Sequence, residues 1–334
     1  MPAKHRIAIY WAASCGGCEI AFVNLHEKLL DVVEHFELAF CPCLLDTKKK
    51  DVLAWPDQHL DITLFNGAIR TDENEEMAHV LRRKSKILIA YGACAHLGGI
   101  PGLSNLHTKA QHFHAIYEEN PSLDNARGAG PQTETKVPEG VLRLPEFHTQ
   151  VRTLAAVTNV DYIIPGCPPE SAQIWNVLDA VIKGAPLPPK GSVLGAGCSS
   201  VCDECKRKRH EDRKISALRR SWEFVPNAED CLLEQGLPCM GIATRNGCGG
   251  LCPEANAPCT GCYGPSEGVQ DQAARMASAI GGLLDIEALK GVPEDQIPAR
   301  VDAATRGLPD CAGTFLKFAV ASSTLGGKKF GDPL

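Results

Sequence analysis

Apolar positions in the first 180 residues switch between two periods. Residues 6–12 (RIAIYWA) form a short apolar run suited to a strand, whereas 19–33 carry Ile20, Phe22, Val23, Leu25, Leu29 and Leu30 at helical spacing. Residues 36–41, 61–65 (DITLF), 86–91 (KILIAY) and 161–165 (DYIIP) read as further strands. Residues 71–84 read as a helix, capped by Thr71 or Asp72, with acidic residues in its first turn. Helices are also predicted around 104–119, over 145–157, and over 169–182 with proline near the start, while 121–144 looks like a surface excursion. Strands separated by helices imply right-handed crossovers and an α/β fold, a doubly wound parallel sheet with helices on both faces. The stretch 184–191 (GAPLPPKG) reads as a boundary. Two domains are therefore expected, 1–188 and 189–334. The second has little periodicity before its C-terminal helices.

Composition adds an anomaly. At 334 residues, 44% hydrophobic, 22% charged and net charge −6, the chain is an ordinary globular protein with no overall charge for nucleic acid. It has no apolar run long enough for a membrane span and no signal-peptide or twin-arginine layout at its start, so a cytoplasmic location is expected. Sixteen cysteines are then too many for disulfides, and metal or redox chemistry is the better explanation.

Their positions sharpen this. Cys15 and Cys18 follow the first predicted strand, Cys94 follows KILIAY, and Cys167 follows DYIIP. All four lie beyond carboxyl ends of strands, the edge where open parallel sheets bind ligands. Gly16, Gly17, Gly92 and Gly166 allow close backbone approach. Four converging thiolates suit an iron–sulfur cube or a zinc ion. Cys15-Gly-Gly-Cys18 alone would suit a thioredoxin-like redox pair, and Cys94 and Cys167 shift the balance. Downstream, Cys202, Cys205, Cys231, Cys239, Cys248, Cys252, Cys259 and Cys262 make two sets of four in a segment that cannot fold on an apolar core alone. A zinc ribbon expects its CxxC pairs much closer than the CxxC at 202–205 and the CxxC at 259–262. Several clusters imply a wire, and neither a P-loop nor a dinucleotide fingerprint is present.

These residues resemble the small subunit of NiFe hydrogenases. The resemblance rests on Cys15-Gly-Gly-Cys18-Glu19, Gly92-Ala-Cys94-Ala, Pro165-Gly-Cys167-Pro-Pro and the eight downstream cysteines. Glu204-Cys205, CLLEQGLPCMG from Cys231, ATRNGCG from Ala243 and CTGCYGP from Cys259 are similar to the cytosolic methyl-viologen-reducing type, which does not reduce deazaflavin and works with heterodisulfide reductase. The resemblance covers about residues 5–285. It implies a flavodoxin-like first domain without flavin, followed by an iron–sulfur domain. It implies three 4Fe-4S clusters: proximal on Cys15, Cys18, Cys94 and Cys167; distal on Cys202, Cys205, Cys231 and Cys239; medial on Cys248, Cys252, Cys259 and Cys262. Cys202 stands where many relatives have histidine, and Cys252 implies a full medial cube. The large-subunit nickel motif is missing, so hydrogen would be cleaved in a separate large subunit, and no catalytic residue is expected here; Glu19 beside Cys18 reads equally as a proton relay or contact to the large subunit and as an acidic residue favoured at a helix N-terminus. Further implied partners are a small iron–sulfur electron-transfer subunit and heterodisulfide reductase-like subunits. The alternatives are a multi-zinc interaction module and the cluster subunit of a respiratory NADH dehydrogenase; the latter typically has adjacent cysteines and no eight-cysteine extension.

Cys41, Cys43, Cys198 and Cys311 remain over and read as buried or incidental thiols, with Cys198 near enough to Cys202 to be an alternative ligand. Asp46 reads as a turn carboxylate, and His96 near Cys94 reads as orienting a sulfur, facing the partner or making a plain polar contact. The basic runs 206–209 (KRKR) and 48–50 read as solvated or docking faces rather than nucleic-acid patches.

Overall fold

The structure is a computed structural model that describes residues 4–325 apart from Arg213 and Pro309. The chain divides into two compact units. One comprises the chain up to Leu194 with Val320–Ser322, and the other Gly195–Ala319 with Ser323–Leu325.

The first unit begins with β1 (His5–Trp11), α1 (Gly17–Val23), α2 (Leu29–His35), β2 (Phe36–Phe40), α3 (Lys49–Ala54), β3 (Leu60–Asn66), β4 (Ile69–Thr71), α4 (Asp72–Lys84) and β5 (Ser85–Tyr91). It continues with α5 (Gly92–Leu97), α6 (Lys109–Tyr117), β6 (Glu134–Val137), β7 (Gly140–Arg143), β8 (Phe147–Arg152), β9 (Tyr162–Ile164) and α7 (Ser171–Ile182). Five strands pair in parallel in the order β2-β1-β3-β5-β9. Counted along the sheet's own strands this is 2-1-3-4-5, the flavodoxin-like order, whose switch point lies between β1 and β3.

Alternation along the strands explains the two-sided core. Ile7 and Ile9, Ile62 and Leu64, Ile89 and Tyr91, and Tyr162 and Ile164 face one way, against Phe22 and Leu25 after β1, Val32 of α2, and Ile174 and Leu178 of α7. Ala8 and Tyr10, Phe65, and Leu88 and Ala90 face the other way, against Val52 of α3 and Met77, Val80 and Leu81 of α4. Both faces being covered, these strands are apolar on both sides. Thr71 caps α4: its hydroxyl takes the Asn74 amide at 3.2 Å and the Asn74 side chain returns to the Thr71 amide at 3.2 Å.

Several local expectations change. The predicted helix over 145–157 is strand β8 followed by one 3-10 turn, Leu154–Ala156. Antiparallel pairing with β4 takes its backbone groups, so a tertiary partner overrides its apolar spacing. The 19–33 pattern is α1, a 3-10 turn and α2, with His26 at a positive φ of 55° breaking the run. The helix around 104–119 is a 3-10 stretch Ile100–Leu106 followed by α6, restarted by the Thr108 cap. The excursion contains the exposed hairpin β6–β7.

The second unit has few regular elements: α8 (Leu251–Glu254), α9 (Gln272–Leu283), α10 (Ile297–Thr305) and α11 (Cys311–Phe315). It does have an apolar centre, in which Val201, Leu232, Met240, Ala243, Tyr263, Met276 and Ile280 are buried. Buried Gln272 of α9 donates to Thr244 Oγ1 at 3.1 Å and to the Gly261 carbonyl at 3.0 Å, tying loops to the helix. Asp271 caps α9 and receives Thr324, whose amide donates at 2.8 Å; these bonds outweigh the desolvation that would raise its carboxyl and hold it down at about 2. No helix among the described residues is long and apolar enough to cross a membrane.

Asp161, at the start of β9, tests the first unit's polar edge. Its carboxylate takes the Leu88 amide at 2.9 Å, the Lys190 ammonium at 2.7 Å and the Arg82 guanidinium. Burial alone would raise its pKa, but the bonds from Lys190, Leu88 and Arg82 together bring it below 3.8. Asp161→Ala should cost about 2–3 kcal/mol in chemical denaturation. Because the folded value is depressed, this contribution is present above the unfolded pKa and disappears as pH falls through the folded one. A ΔΔG that stays unchanged through that acid range would contradict the assignment.

Candidate metal centres

The first centre sits at the carboxyl edge of the sheet. Cys15 leaves β1, Cys18 lies on α1, Cys94 lies on α5 directly after β5, and Cys167 follows β9 through Gly166. The four thiols form one electrostatic group. Burial and then Glu19, Cys94, Cys167 and Cys15 push Cys18 well above its usual value. Burial followed by Cys167 and Cys15 pushes Cys94 up to about 12, and burial and Cys15 raise Cys167. Four bare thiolates repel one another here, and a cationic core removes that penalty.

Two glycines make the space. A Cβ on Gly92 (φ 83°) would lie 2.5 Å from Cys18 Sγ, and one on Gly99 (φ 57°) would lie 2.4 Å from Cys94 Sγ. Only glycine adopts these angles freely while leaving room for the sulfur. Tyr91, fully buried, donates its hydroxyl to the Cys18 carbonyl at 2.8 Å. Glu19 is buried beside Cys18, and its two carboxylate oxygens accept from Asn66 Nδ2 at 2.8 and 2.7 Å. Asn66 Nδ2 also reaches Ser14 Oγ at 3.0 Å, while its buried Oδ1 has no hydrogen-bond partner. His96 is half-buried on α5.

The second unit holds a small pocket lined by Cys202, Cys205, Cys231 and Cys239 together with Val201, Leu232, Arg207 and Arg209. Burial, Cys239 and Cys231 raise Cys202 to about 12, with Arg209 opposing them; burial raises Cys239 to about 11, against amides of Gly241 and Cys259 that face its sulfur. Four cysteines far apart in sequence thus share one lining.

The other four are less uniformly placed. Cys259 and Cys262 are electrostatic neighbours, and burial followed by Cys239 pushes Cys259 well above its usual value. The Cys259 amide donates to Cys239 Sγ at 3.3 Å and the Met240 amide donates to the Cys259 carbonyl at 2.9 Å, so the two groups adjoin. Cys248 lies 3.6 Å from a Glu204 carboxylate that also accepts the Gly247 amide at 3.0 and 3.1 Å. Cys252 is exposed on α8.

Among the described residues no three His, Cys, Asp or Glu side chains close around one point as a lone metal ion needs. The chemistry of the donors and the glycine-cleared space fit a larger cluster.

The remaining thiols and charges also find places. Cys198 and Cys311 are exposed; Glu267, hydrogen-bonded to the Cys198 thiol, raises it. Asp46 is exposed with the Lys48 ammonium at 3.3 Å. The basic run 206–209 is locally neutralised, Lys206 by Glu254 and Lys208 by Glu229 at 2.8 Å. Arg207, which the sequence pattern placed on a solvated face, is buried. It donates to the carbonyls of Pro253 at 2.9 Å, Asn227 at 2.7 Å and Asp230 at 3.0 Å and to Asn256 Oδ1 at 2.6 Å, clamping the loops around the cavity. Nothing in the local sequence distinguishes it from its neighbours; only the carbonyls that surround it do.

The chain is similar to known proteins over both units. A family profile described as NADH ubiquinone oxidoreductase, 20 Kd subunit, matches residues 15–181. The iron-sulfur subunit of the F420-non-reducing hydrogenase of Archaeoglobus profundus is 42% identical over 284 residues, covering 84% of this chain and 88% of that protein. The corresponding F420-non-reducing hydrogenase subunit of Methanothermobacter marburgensis is 35% identical over 327 residues, 97% of each. A solved [NiFeSe]-hydrogenase chain from Dm. baculatum superposes with TM-score 0.50 at 18% identity over 79% of this chain and 95% of that one, a likeness of fold.

The glycine cradle is testable by substitution. Gly92→Ala and Gly99→Ala should each lower the iron content of anaerobically purified protein, because the new methyl group occupies the sulfur's space. Gly282→Ala, where nothing lies within 4 Å, serves as the control. Full iron content in both cradle variants would refute the role given to these glycines.

Proposed function

The chain belongs to the family of F420-non-reducing hydrogenase iron-sulfur subunits, and on that premise we propose that it is the electron-transfer small subunit of a NiFe hydrogenase, linking the nickel–iron site of a separate large subunit to downstream redox partners. Its relatives are hydrogenase subunits, and the match runs through the cysteine-dense unit as well as the sheet. The observation that carries this reading is the convergence of Cys15, Cys18, Cys94 and Cys167 on the ligand-binding edge of the sheet. The cavity lined by Cys202, Cys205, Cys231 and Cys239 supports a second such frame. Cys248, Cys252, Cys259 and Cys262 complete a third set.

Three 4Fe-4S cubes on these sets supply one-electron chemistry when bound. The chain's own contribution is to hold and tune. Apolar burial of Cys18, Cys94, Cys239 and Cys259 keeps water from the sulfurs, and backbone amides directed at Cys231, Cys239, Cys248 and Cys259 supply hydrogen bonds. The Cys259 amide on Cys239 Sγ gives the distal and medial sets a direct link. The partners belonging to this reading are the nickel-containing large subunit, a small iron–sulfur electron-transfer subunit and heterodisulfide reductase-like subunits, in the cytoplasm. The iron-sulfur subunit to which the chain is similar over most of its length favours clusters over a multi-zinc module. A respiratory cluster subunit shares the profile over 15–181, but the whole-length relatives favour the hydrogenase.

Glu19 is the proton-handling residue of this reading. Buried against Cys18, it is held by Asn66, whose one amide nitrogen serves both carboxylate oxygens. Glu19→Gln should leave iron content and cluster EPR signals intact while hydrogen–deuteron exchange by the assembled enzyme falls by about 10²-fold. Unchanged exchange would remove Glu19 from the proton path.

The subunit assignment is checked by anaerobic co-purification with metal analysis. About twelve irons per chain and EPR signals of reduced cubes are expected, with a nickel-containing subunit in the same complex. Zinc in place of iron, or a stable active complex without nickel, would overturn it.

A further inference from the structure

Cys41 and Cys43 lie outside all three thiol sets, yet they are not two unrelated thiols. Their sulfurs are 3.6 Å apart, joined by a thiol hydrogen bond. Cys41 is 1% exposed, at the carboxyl end of β2, whereas Cys43 is exposed. The turn that joins them is closed by the Leu44 and Leu45 amides, both donating to the Cys41 carbonyl at 3.0 and 2.9 Å. Pro42 between them restricts the backbone further. A turn built this way holds the pair together at little further entropic cost.

Two observations separate the pair from incidental cysteines. First, the amides of Cys43 and Leu44 face the Cys41 sulfur. The same pattern, from the residues two and three positions on, occurs at Cys231 with Leu233 and Glu234 and at Cys248 with Gly250 and Leu251. The amides of such a turn offset part of the penalty that burial puts on a thiolate. Second, Cys41 packs in the same core layer as Cys18, together with Ile9 and Phe22. Cys41 therefore shares the sheet face and the sheet edge of the first thiol set without joining it.

We infer that Cys41 and Cys43 form a redox-active dithiol that exchanges with low-molecular-weight disulfides. Exposed Cys43, as thiolate, attacks a disulfide RSSR; its S–S bond breaks, a Cys43–S–SR bond forms and one RSH leaves after taking up a proton. Cys41 then gives its proton to solvent and attacks the Cys43 sulfur. The Cys41–Cys43 bond forms and the second RSH leaves. In total two protein thiols are oxidised by two electrons and one disulfide is reduced to two thiols. Closing the bond requires the sulfurs to move from 3.6 Å to about 2.05 Å, which the solvent-facing Cys43 side chain can supply. Burial, and Cys43 beside it, push Cys41 up to about 12, so in the resting state it is the protonated reserve and the exposed thiol meets the oxidant first.

The test uses the full chain purified anaerobically with its iron. The protein is equilibrated with reduced and oxidised glutathione at a series of ratios, quenched in acid with N-ethylmaleimide and digested with trypsin. Peptide 29–48 contains these two cysteines and no other. The expected result is one transition from doubly alkylated to unalkylated peptide, with iron content unchanged. Cys43→Ser should abolish the response, and Cys41→Ser should trap glutathione on Cys43. Persistent double alkylation in excess oxidised glutathione would overturn the proposal. So would a stable glutathione adduct on wild-type Cys43, or thiol loss that occurs only in step with iron loss. If Cys41→Ser fails to fold, the wild-type titration and Cys43→Ser, at an exposed position, still decide the matter.

Discussion

Packing several thiols into one apolar pocket is electrostatically self-defeating unless something positive joins them. Around Cys18 and Cys94, burial disfavours each thiolate, and the neighbouring cysteines disfavour it further. The protein spends its design on this conflict. A rigid sheet brings the thiols together, glycines clear the space between them, and the remaining charge asks for a cationic core. The same conflict recurs in the second unit, where Cys202 and Cys239 are raised by burial and by their companions.

The two units meet this constraint by different means. In the first, an ordinary two-faced core would exist without any metal, because Ile7, Ile9, Ala8 and Tyr10 divide between both sheet faces and are covered by helices. The thiols are placed at its edge. In the second, the apolar centre around α9 is small, and the loops that carry the cysteines are held by buried polar groups. Arg207 binds three carbonyls and an amide oxygen, and Gln272 binds a hydroxyl and a carbonyl. Such loops satisfy their backbone locally, as buried irregular chain must.

Much of this is legible in the chain itself. The parallel sheet follows from strand-like runs alternating with helical ones, and the edge position of Cys15, Cys18, Cys94 and Cys167 follows from where those runs stop. The expectations that changed share a cause. Residues 147–152 have an apolar spacing that suits a helix, but β4 offers an open edge and the segment pairs with it. His26 at positive φ interrupts a run whose apolar spacing alone would continue. In both cases a local pattern is outweighed by a contact or a backbone angle that the pattern does not encode.

Local pattern therefore settles the sheet, its direction and the edge at which four thiols gather, because short apolar runs and the points where they stop are local properties. Spacing counted two sets of four among the downstream cysteines without dividing them, and the fold shows that Cys202, Cys205, Cys231 and Cys239 share a lining, that Arg207 is a clamp rather than a surface charge, and that Cys41 and Cys43 are a pair in hydrogen-bond contact. Each depends on loop closures spanning tens of residues, and the side chains that make such closures favourable come from parts of the chain that no local window contains.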